Sequence, residues 1–484
     1  MTTSAFRDRS AFRPPAGYQL LPFRFTRLDG TRYVLTNEVG EYLLLTREDL
    51  VALVGHTLES NGQAYKELQS RHFLFDGQSR SALDLLALKY RSRAEQVASF
   101  TGLHIFVVTL RCDHSCDYCQ VSRQTENRAN FDMTRAHADK ALEFVFRSPS
   151  RAIKIEFQGG EPLLNYDLIR YIVERALELN REHRRQLQFV IASNLSRLSD
   201  EVLAFCSAHE IFLSTSIDGP ESLHDAQRPL RNGHSHRTTV ESIHRARKVL
   251  GPDSVSALMT TTQASLGRVE EIIDEYVRLG FHGIFLRNIS PYGFAVRKSL
   301  LRRYNVHDWI EFYKRGLKHI LKINQQGHAL REEYTALLLQ KMLSPRGTSY
   351  VDLQSPAGIG IGGIVYNYDG AVYASDEGRM LAEMGDHSFR LGHLDSDSYE
   401  AVMTSESLLL PLLNSMPEGA PMCSDCAFLP YCGADPVFHQ ATQRDVVGHK
   451  SFSAFCTKQM AVLRHLIGLL EYDAEARSTL LQWV

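Results

Sequence analysis

The chain has 484 residues, 44% of them apolar and 23% charged, with a net charge of −2. That length exceeds what one hydrophobic core serves, so two or three domains are expected. The charge balance argues against nucleic acid or an anionic membrane surface as the main partner. The N-terminal residues lack the apolar core of a signal peptide, and no apolar run approaches the length that spans a bilayer. The eight cysteines fall in tight clusters, which suits metal ligation in a reducing compartment better than a disulfide scaffold; a cytoplasmic location is expected.

Residues 18–27, 33–36 and 42–45 read as short strands broken by turns at Asp29-Gly30 and 37–40. Thr46 can cap a helix that starts at Arg47 and ends before Gly55, and a second helical pattern, 63–71, leads into 73–75. Residues 1–98 are thus expected to form a small α+β domain without a catalytic motif. From Gly102 the rhythm changes. Mostly apolar strand candidates at 103–110, 152–157, 187–192, 211–217, 254–260 and 283–287 alternate with helical patterns at 134–146, 166–180, 200–209, 238–249 and 268–279. This predicts an α/β fold with a parallel sheet covered by helices, and six units over 99–300 fit a partial (β/α)6 TIM-like barrel. Right-handed crossovers would bring all strand ends to one rim, where chemistry is expected. A helical connector, 301–350, leads to a last region, 351–484, which opens with a hairpin about Asp369-Gly370. Gly358, Gly360 and Gly363 suit that hairpin better than a nucleotide loop. A final helix contains Cys456 or follows it.

Cys112, Cys116 and Cys119 lie on the loop directly after the first barrel strand. Three thiolates can hold three irons of a cubane and leave the fourth open. A zinc knuckle completed by His114 is the alternative, although closed zinc sites usually take four protein ligands and no fourth cysteine is near. After the second strand come Gly159, Gly160, Glu161 and Pro162, where glycines let the backbone approach a ligand and Glu161 can accept from an ammonium. Ser193 and Asn194, Ser216 and Asp218, and Arg287 make the third, fourth and sixth strand ends polar too. Cys423, Cys426, Cys432 and Cys456 can fully ligate one [4Fe–4S] cluster or one structural zinc ion. Cys206 reads as a small buried apolar residue on a helix. Asp376, next to Glu377, is either a base near a substrate or half of a solvated acidic pair. Among the twenty histidines no pair has convincing metal spacing and surroundings.

The Cys112-x3-Cys116-x2-Cys119 spacing resembles the signature of the radical S-adenosylmethionine (SAM) superfamily. The resemblance implies a [4Fe–4S] cluster whose open iron binds SAM, reductive cleavage to a 5′-deoxyadenosyl radical, and a low-potential electron donor. It also implies Tyr118 against the adenine and Gly159, Gly160, Glu161 and Pro162 as the SAM motif. Ser193, Asn194 and Ser216 would contact ribose and carboxylate, with Leu195 where a glycine often follows, and Arg228 would lie near the active site. Cys423-x2-Cys426-x5-Cys432 resembles the SPASM extension of peptide- and protein-modifying members. Pro436 and Ser375 stand where further cysteines are expected, so a single auxiliary cluster is implied, with Asp376 where some relatives carry an acid. The whole chain, including FRFTRLDGTRYVLTNEVGEYLLLT, is similar to the maturases of the His-Xaa-Ser peptide system, the HxsB group. That implies a ribosomally made precursor peptide with His-Xaa-Ser repeats and room for a second radical SAM partner protein. The N-terminal domain resembles winged-helix-like domains that take a leader peptide as an added strand. Maturation of a folded protein, as in sulfatase activation, and a zinc-stabilised binding protein without catalysis are the competing readings.

Overall fold

The computed structural model describes residues 17–98, 101–125, 127–231, 233–298, 300, 304–344 and 350–484. The N-terminal part is an antiparallel meander, β1 (Phe23–Arg27), β2 (Arg32–Asn37) and β3 (Tyr42–Thr46), followed by α1 (Arg47–Val54) and α2 (Gln63–Ser70). Asp29 Oδ1 accepts from the Thr31 and Arg32 N–H groups at 2.8 and 2.9 Å, which closes the first turn. Thr46 Oγ1 accepts from the Asp49 N–H at 3.1 Å and caps α1 as expected. The expected first strand is interrupted: Gln19–Leu20 pairs with Leu74–Phe75 and not with the meander. Leu35, Leu43, Leu53, Leu68 and Phe73 form this part's own core. Helix α3 (Ser81–Ala98) has no legible apolar stripe, since Leu85, Leu88 and Tyr90 are about half exposed; nothing in the pattern predicts it.

The barrel follows in the expected order: β4 (Leu103–Thr109), α4 (Arg135–Arg147), β5 (Ala152–Gly159), α5 (Tyr166–His183), β6 (Gln186–Ala192), α6 (Asp200–Ala208), β7 (Phe212–Ser216), α7 (Glu221–Gln227), α8 (Ser235–Leu250), β8 (Val255–Thr260), α9 (Val269–Arg278) and β9 (Leu286–Arg287). These six strands pair in parallel, each with its sequence neighbour. The register places Phe106, Phe157, Ile191, Leu213 and Val255 in one row beneath the helices, all nearly or fully buried. Each such side chain contributes ~2 kcal/mol of hydrophobic stabilisation. Cys206 lies in the same core, fully buried on α6. The expected strand 283–287 splits in two, because the Arg287 N–H bends back to the Phe285 carbonyl and Gly283–Ile284 pairs with Arg331–Glu332 instead.

After α10 (Val306–Gln325) and α11 (Glu333–Leu343), β10 (Gly363–Tyr366) pairs in parallel with β4. β11 (Ala371–Tyr373), α12 (Asp376–Ala382) and β12 (Arg390–His393) follow. The hairpin that opens the last region therefore continues the barrel's own sheet, in the order β9-β8-β7-β6-β5-β4-β10-β11-β12. A buried imidazole marks the seam. His104 Nδ1 lies 3.0 Å from the Tyr366 hydroxyl and Nε2 3.1 Å from the Thr101 carbonyl, and burial pushes its pKa down to about 3, so it stays neutral. Two further helices are α13 (Pro436–Gln443) and α14 (Ala454–Tyr472), the latter with Cys456 in its first turn, and a short helix, Ala474–Leu480, follows. Among the described residues no helix is long and apolar enough to cross a membrane.

The N-terminal part is docked on the loop 424–431. Thr36 Oγ1 donates to the Ala427 carbonyl at 2.6 Å, and the Tyr431 hydroxyl donates to the Gly40 carbonyl at 2.8 Å. Arg93 of α3 donates to the carbonyls of Pro430 at 2.9 Å, Lys341 at 3.3 Å and Val39. Arg93→Ala is therefore expected to loosen this loop locally by about 2 kcal/mol, roughly thirtyfold in amide exchange. Hydrogen-exchange mass spectrometry over 424–432 checks it, and unchanged exchange would mean the loop holds without Arg93.

Candidate active site at the rim of the sheet

The loop after β4 is fixed at its base by Arg111, whose guanidinium donates to both oxygens of Asp132 at 2.7 and 2.8 Å and to the Leu164 carbonyl at 2.6 Å. Cys112, Cys116 and Cys119 follow. The Ser115 N–H donates to the Pro229 carbonyl at 2.9 Å and the Phe294 N–H to the Cys119 carbonyl at 2.8 Å, so neighbouring loops grip this one on both sides. Burial raises the Cys116 thiol to about 11, although Arg228 opposes it, and pushes Cys112 well up too. Such thiols lose their protons to a bound metal rather than to solvent. His114 cannot serve as a fourth ligand as the pair of its ring nitrogens is engaged: Nε2 lies 2.8 Å from Ser235 Oγ, and Nδ1 lies 3.0 Å from Asp113 and 2.8 Å from Asn194 Nδ2. The donor set is three sulfurs with one coordination position left over. It fits a cubane with one open iron and does not fit a closed zinc knuckle.

The turn after β5 packs on the chain that enters the cysteine loop. A Cβ on Gly159 would come 1.9 Å from the Thr109 carbonyl oxygen, and one on Gly160 would come 2.3 Å from that of Arg111. The glycines thus let this turn press on the chain entering the cysteine loop, with the Gly160 and Glu161 N–H groups donating to the Thr109 and Arg111 carbonyls at 2.9 and 2.7 Å. The fully buried Glu161 accepts from the Leu163 N–H at 3.0 Å, Ser193 Oγ at 2.7 Å and the Asn194 N–H at 2.8 Å. Burial raises its pKa to about 7 against these donors. Its carboxylate ties this turn to the end of β6, and Pro162 is buried at the start of the following turn. Leu195, after Asn194, holds φ at +63°, the left-handed backbone that glycine usually supplies.

Tyr118, Asp218 and Arg228 form a buried cluster. The Tyr118 hydroxyl donates to Asp218 Oδ2, and Arg228 Nη1 donates to the Tyr118 oxygen at 2.7 Å. Asp218 Oδ1 also accepts from the Thr260 N–H at 3.1 Å, which links the ends of β7 and β8. Burial works against the Arg228 cation, but Tyr118, Cys116 and Asp218 outweigh it and raise its pKa. Arg228 lines the same cavity as the three cysteines.

One cavity of about 230 Å³ is lined by Cys112, Cys116 and Cys119 together with Tyr118, Gly159, Gly160, Ser193, Asn194, Ser216, Arg228 and Asp376. Glu161 and Pro162 stand behind its wall. Arg287 lines it as well, as do Glu156, Gln158, Ser214 and Thr260, which the sequence reading did not pick out. Their signal was the alternation of β5, where Glu156 and Gln158 are set between buried Ile155 and Phe157. Asp376 begins α12, capped by Ser375, and is 17% exposed. Burial pushes its pKa up to about 6, against the Arg379 guanidinium 3.3 Å away. Away from this cavity, Cys423, Cys426, Cys432 and Cys456 influence one another's ionisation, and burial raises all four thiols. Lys450, Arg24, Arg464 and Lys341 oppose that rise.

Residues 106–276 match the model of the radical SAM superfamily. An uncharacterized protein of Methanocaldococcus jannaschii, MJ0907, is 28% identical over 188 residues, 39% of this chain, and the chain spans 62% of that protein's length. Among solved structures, anSMEcpe with bound AdoMet superposes with a TM-score of 0.60 at 15% identity, over 76% of this chain and 97% of that one. SuiB of Streptococcus suis, bound to its precursor peptide SuiA, superposes with a TM-score of 0.52 at 13% identity, over 91% and 99%. The fold is theirs.

Two substitutions separate the turn's roles. Gly160→Ala drives a methyl group into the carbonyls of Leu110 and Arg111, and most iron on Cys112, Cys116 and Cys119 is expected to be lost on reconstitution. Glu161→Gln keeps the shape but replaces an acceptor with a donor. It is expected to retain iron while SAM binding weakens roughly 10–100-fold, read by equilibrium dialysis.

Proposed function

We propose that this chain, whose residues 106–276 match the radical SAM superfamily model, is a radical SAM enzyme and, within that class, a peptide maturase acting on a ribosomally made precursor with His-Xaa-Ser repeats. The observation that carries the chemistry of this reading is one cavity lined by three thiols, the polar strand ends and the carboxylate of Asp376, while the substrate class rests on the sequence resemblance. With a [4Fe–4S] cluster and SAM bound, such a site supplies reductive cleavage of SAM and a 5′-deoxyadenosyl radical that takes a hydrogen atom from the substrate. The chain's own residues do the rest. Cys112, Cys116 and Cys119 hold three irons. Ser193, Asn194 and Ser216 offer hydrogen bonds to SAM, and Arg228 holds Tyr118 at the cavity wall. Asp376, ionised at neutral pH with a pKa of about 6, can take a proton at its carboxylate oxygen.

The same reading gives Cys423, Cys426, Cys432 and Cys456 one auxiliary [4Fe–4S] cluster. Among the described residues neither cysteine set brings three sulfurs within 4.8 Å of one another, whereas one tetrahedral zinc ion needs its sulfurs about 3.8 Å apart. Lys341, Lys450, Arg24 and Arg464 bring positive charge to four thiolates. Residues 1–98 are the recognition domain, 99–300 the barrel, 301–350 a connector and 351–484 the auxiliary-cluster domain. The leader peptide would add to β1, which is paired on one side among the described residues. SuiB carries its precursor peptide and anSMEcpe the Cp18Cys peptide in their solved structures, and this supports a peptide substrate. The setting is a reducing cytoplasm with a low-potential electron donor, and a second radical SAM protein is a candidate partner.

Reconstituted protein is expected to hold roughly 8 irons per chain, and a Cys112/Cys116/Cys119→Ala variant roughly 4 with no 5′-deoxyadenosine released. Mass spectrometry of a co-expressed His-Xaa-Ser peptide should show a mass change that the variant abolishes; an unmodified peptide beside active SAM cleavage would refute the substrate alone. Asp376→Asn should spare uncoupled SAM cleavage and lower peptide product by roughly 10²-fold or more. Because the base works ionised, wild-type product formation should rise with pH through about 6, and that rise should vanish in the variant.

A further inference from the structure

Away from the cavity, helix α4, the last residue of β12 and the loop after that strand bring together His137, His393 and Asp395, whose ligand atoms all lie within 4.8 Å of one another. His137 Nε2 stands 3.2 Å from Asp395 Oδ2, and His393 Nδ1 stands 3.7 Å from the same oxygen. Tetrahedral coordination at ~2.0–2.1 Å per ligand sets neighbouring donors about 3.3 Å apart, so both spacings fall close to one edge of such a site. The two imidazoles are 15% and 25% exposed, which shelters one face of the group and leaves the carboxylate side open to water.

The surroundings orient the donors. His393 Nε2 lies 2.9 Å from the Asp369 carbonyl, which can only accept, so Nε2 carries the proton and the Nδ1 lone pair is turned toward Asp395. Gly370 lies under both rings, and a Cβ there would come 2.8 Å from His137 Nε2. Two present contacts compete with a cation. The Asp395 N–H donates to His393 Nδ1 at 3.1 Å, and Lys140 Nζ holds the other carboxylate oxygen at 2.8 Å. Lys140 is 40% exposed on a flexible stem, so it can swing into solvent. A second group, Glu221, Asp225 and His234, lacks this support: its histidine is 59% exposed, and Asp225 is already taken by the His236 N–H at 2.7 Å.

We propose that His137, His393 and Asp395 bind one divalent transition-metal ion of the zinc class, with water completing its shell. Two imidazoles and a carboxylate suit zinc, nickel or cobalt and not magnesium or calcium, which want oxygen donors. The ion would clip helix α4 of the barrel to the far end of the sheet, away from the cysteines.

The test uses the full-length protein with its cysteine sites loaded with iron, dialysed anaerobically against buffered Zn²⁺. One zinc per chain is expected beyond the iron. His137→Ala and His393→Ala should each weaken its binding roughly tenfold or more, with iron content and SAM cleavage unchanged. X-ray absorption at the zinc edge should show nitrogen and oxygen at about 2.0 Å and no sulfur at about 2.3 Å. Lys140→Ala, which removes the competing cation and should fold normally, is expected to tighten binding. Equal zinc uptake by wild type and both histidine variants, or a sulfur shell, would overturn the site.

Discussion

The active rim depends on one close approach of backbone to backbone. The Gly159-Gly160 turn lies against the last residues of β4 at distances that leave no room for a side chain, and hydrogen bonds at 2.7 and 2.9 Å hold it there. Everything beyond is bracketed from this contact. Glu161 carries it to Ser193 and Asn194, and Asn194 carries it to Asp113, within the cysteine loop itself. Three successive strand ends become one network of short, buried hydrogen bonds. Such a network keeps three thiols in place before any cofactor arrives, which is the preorganisation a cofactor site needs.

The same economy explains the cluster of Tyr118, Asp218 and Arg228. A buried carboxylate and a buried guanidinium would each be costly alone. Here a tyrosine hydroxyl sits between them and satisfies both, while its ring lines the cavity. Beside the second cysteine set a comparable task falls to Arg93, which serves carbonyls from three separate segments. Loops that carry cysteines are thus held by neighbours distant in sequence.

What the sequence made legible was what is local. The apolar row from Phe106 to Val255 follows from strand patterns read one at a time, and the cysteine spacings are visible without a fold. The order of the six barrel strands came from the same source. Glu161 was legible as important, but its bonds to Ser193 and Asn194 were not, because those partners lie more than thirty residues away. Leu195 hid a glycine-like backbone behind a bulky side chain. Helix α3 escaped because its exposed leucines break the amphipathic pattern. The joining of β10 to β4 and the meeting of His137 with His393 are tertiary facts, and no spacing announces them.

The pairing of β4 with β10 has a consequence for how the chain is made. His104 and Tyr366, bonded across that seam, are separated by 262 residues. At a synthesis rate of ~5–20 residues per second, β4 emerges from the ribosome roughly 13–50 seconds before its second neighbour exists. Through that interval one side of an apolar strand, the first of the barrel, presents unsatisfied N–H and C=O groups, the condition under which nascent chains pair with one another. The barrel is therefore not a unit that can be released early. A ribosome stalled before β10, or a gene cut there, leaves a sheet with an open seam, and shielding it falls to chaperones until the C-terminal strands arrive.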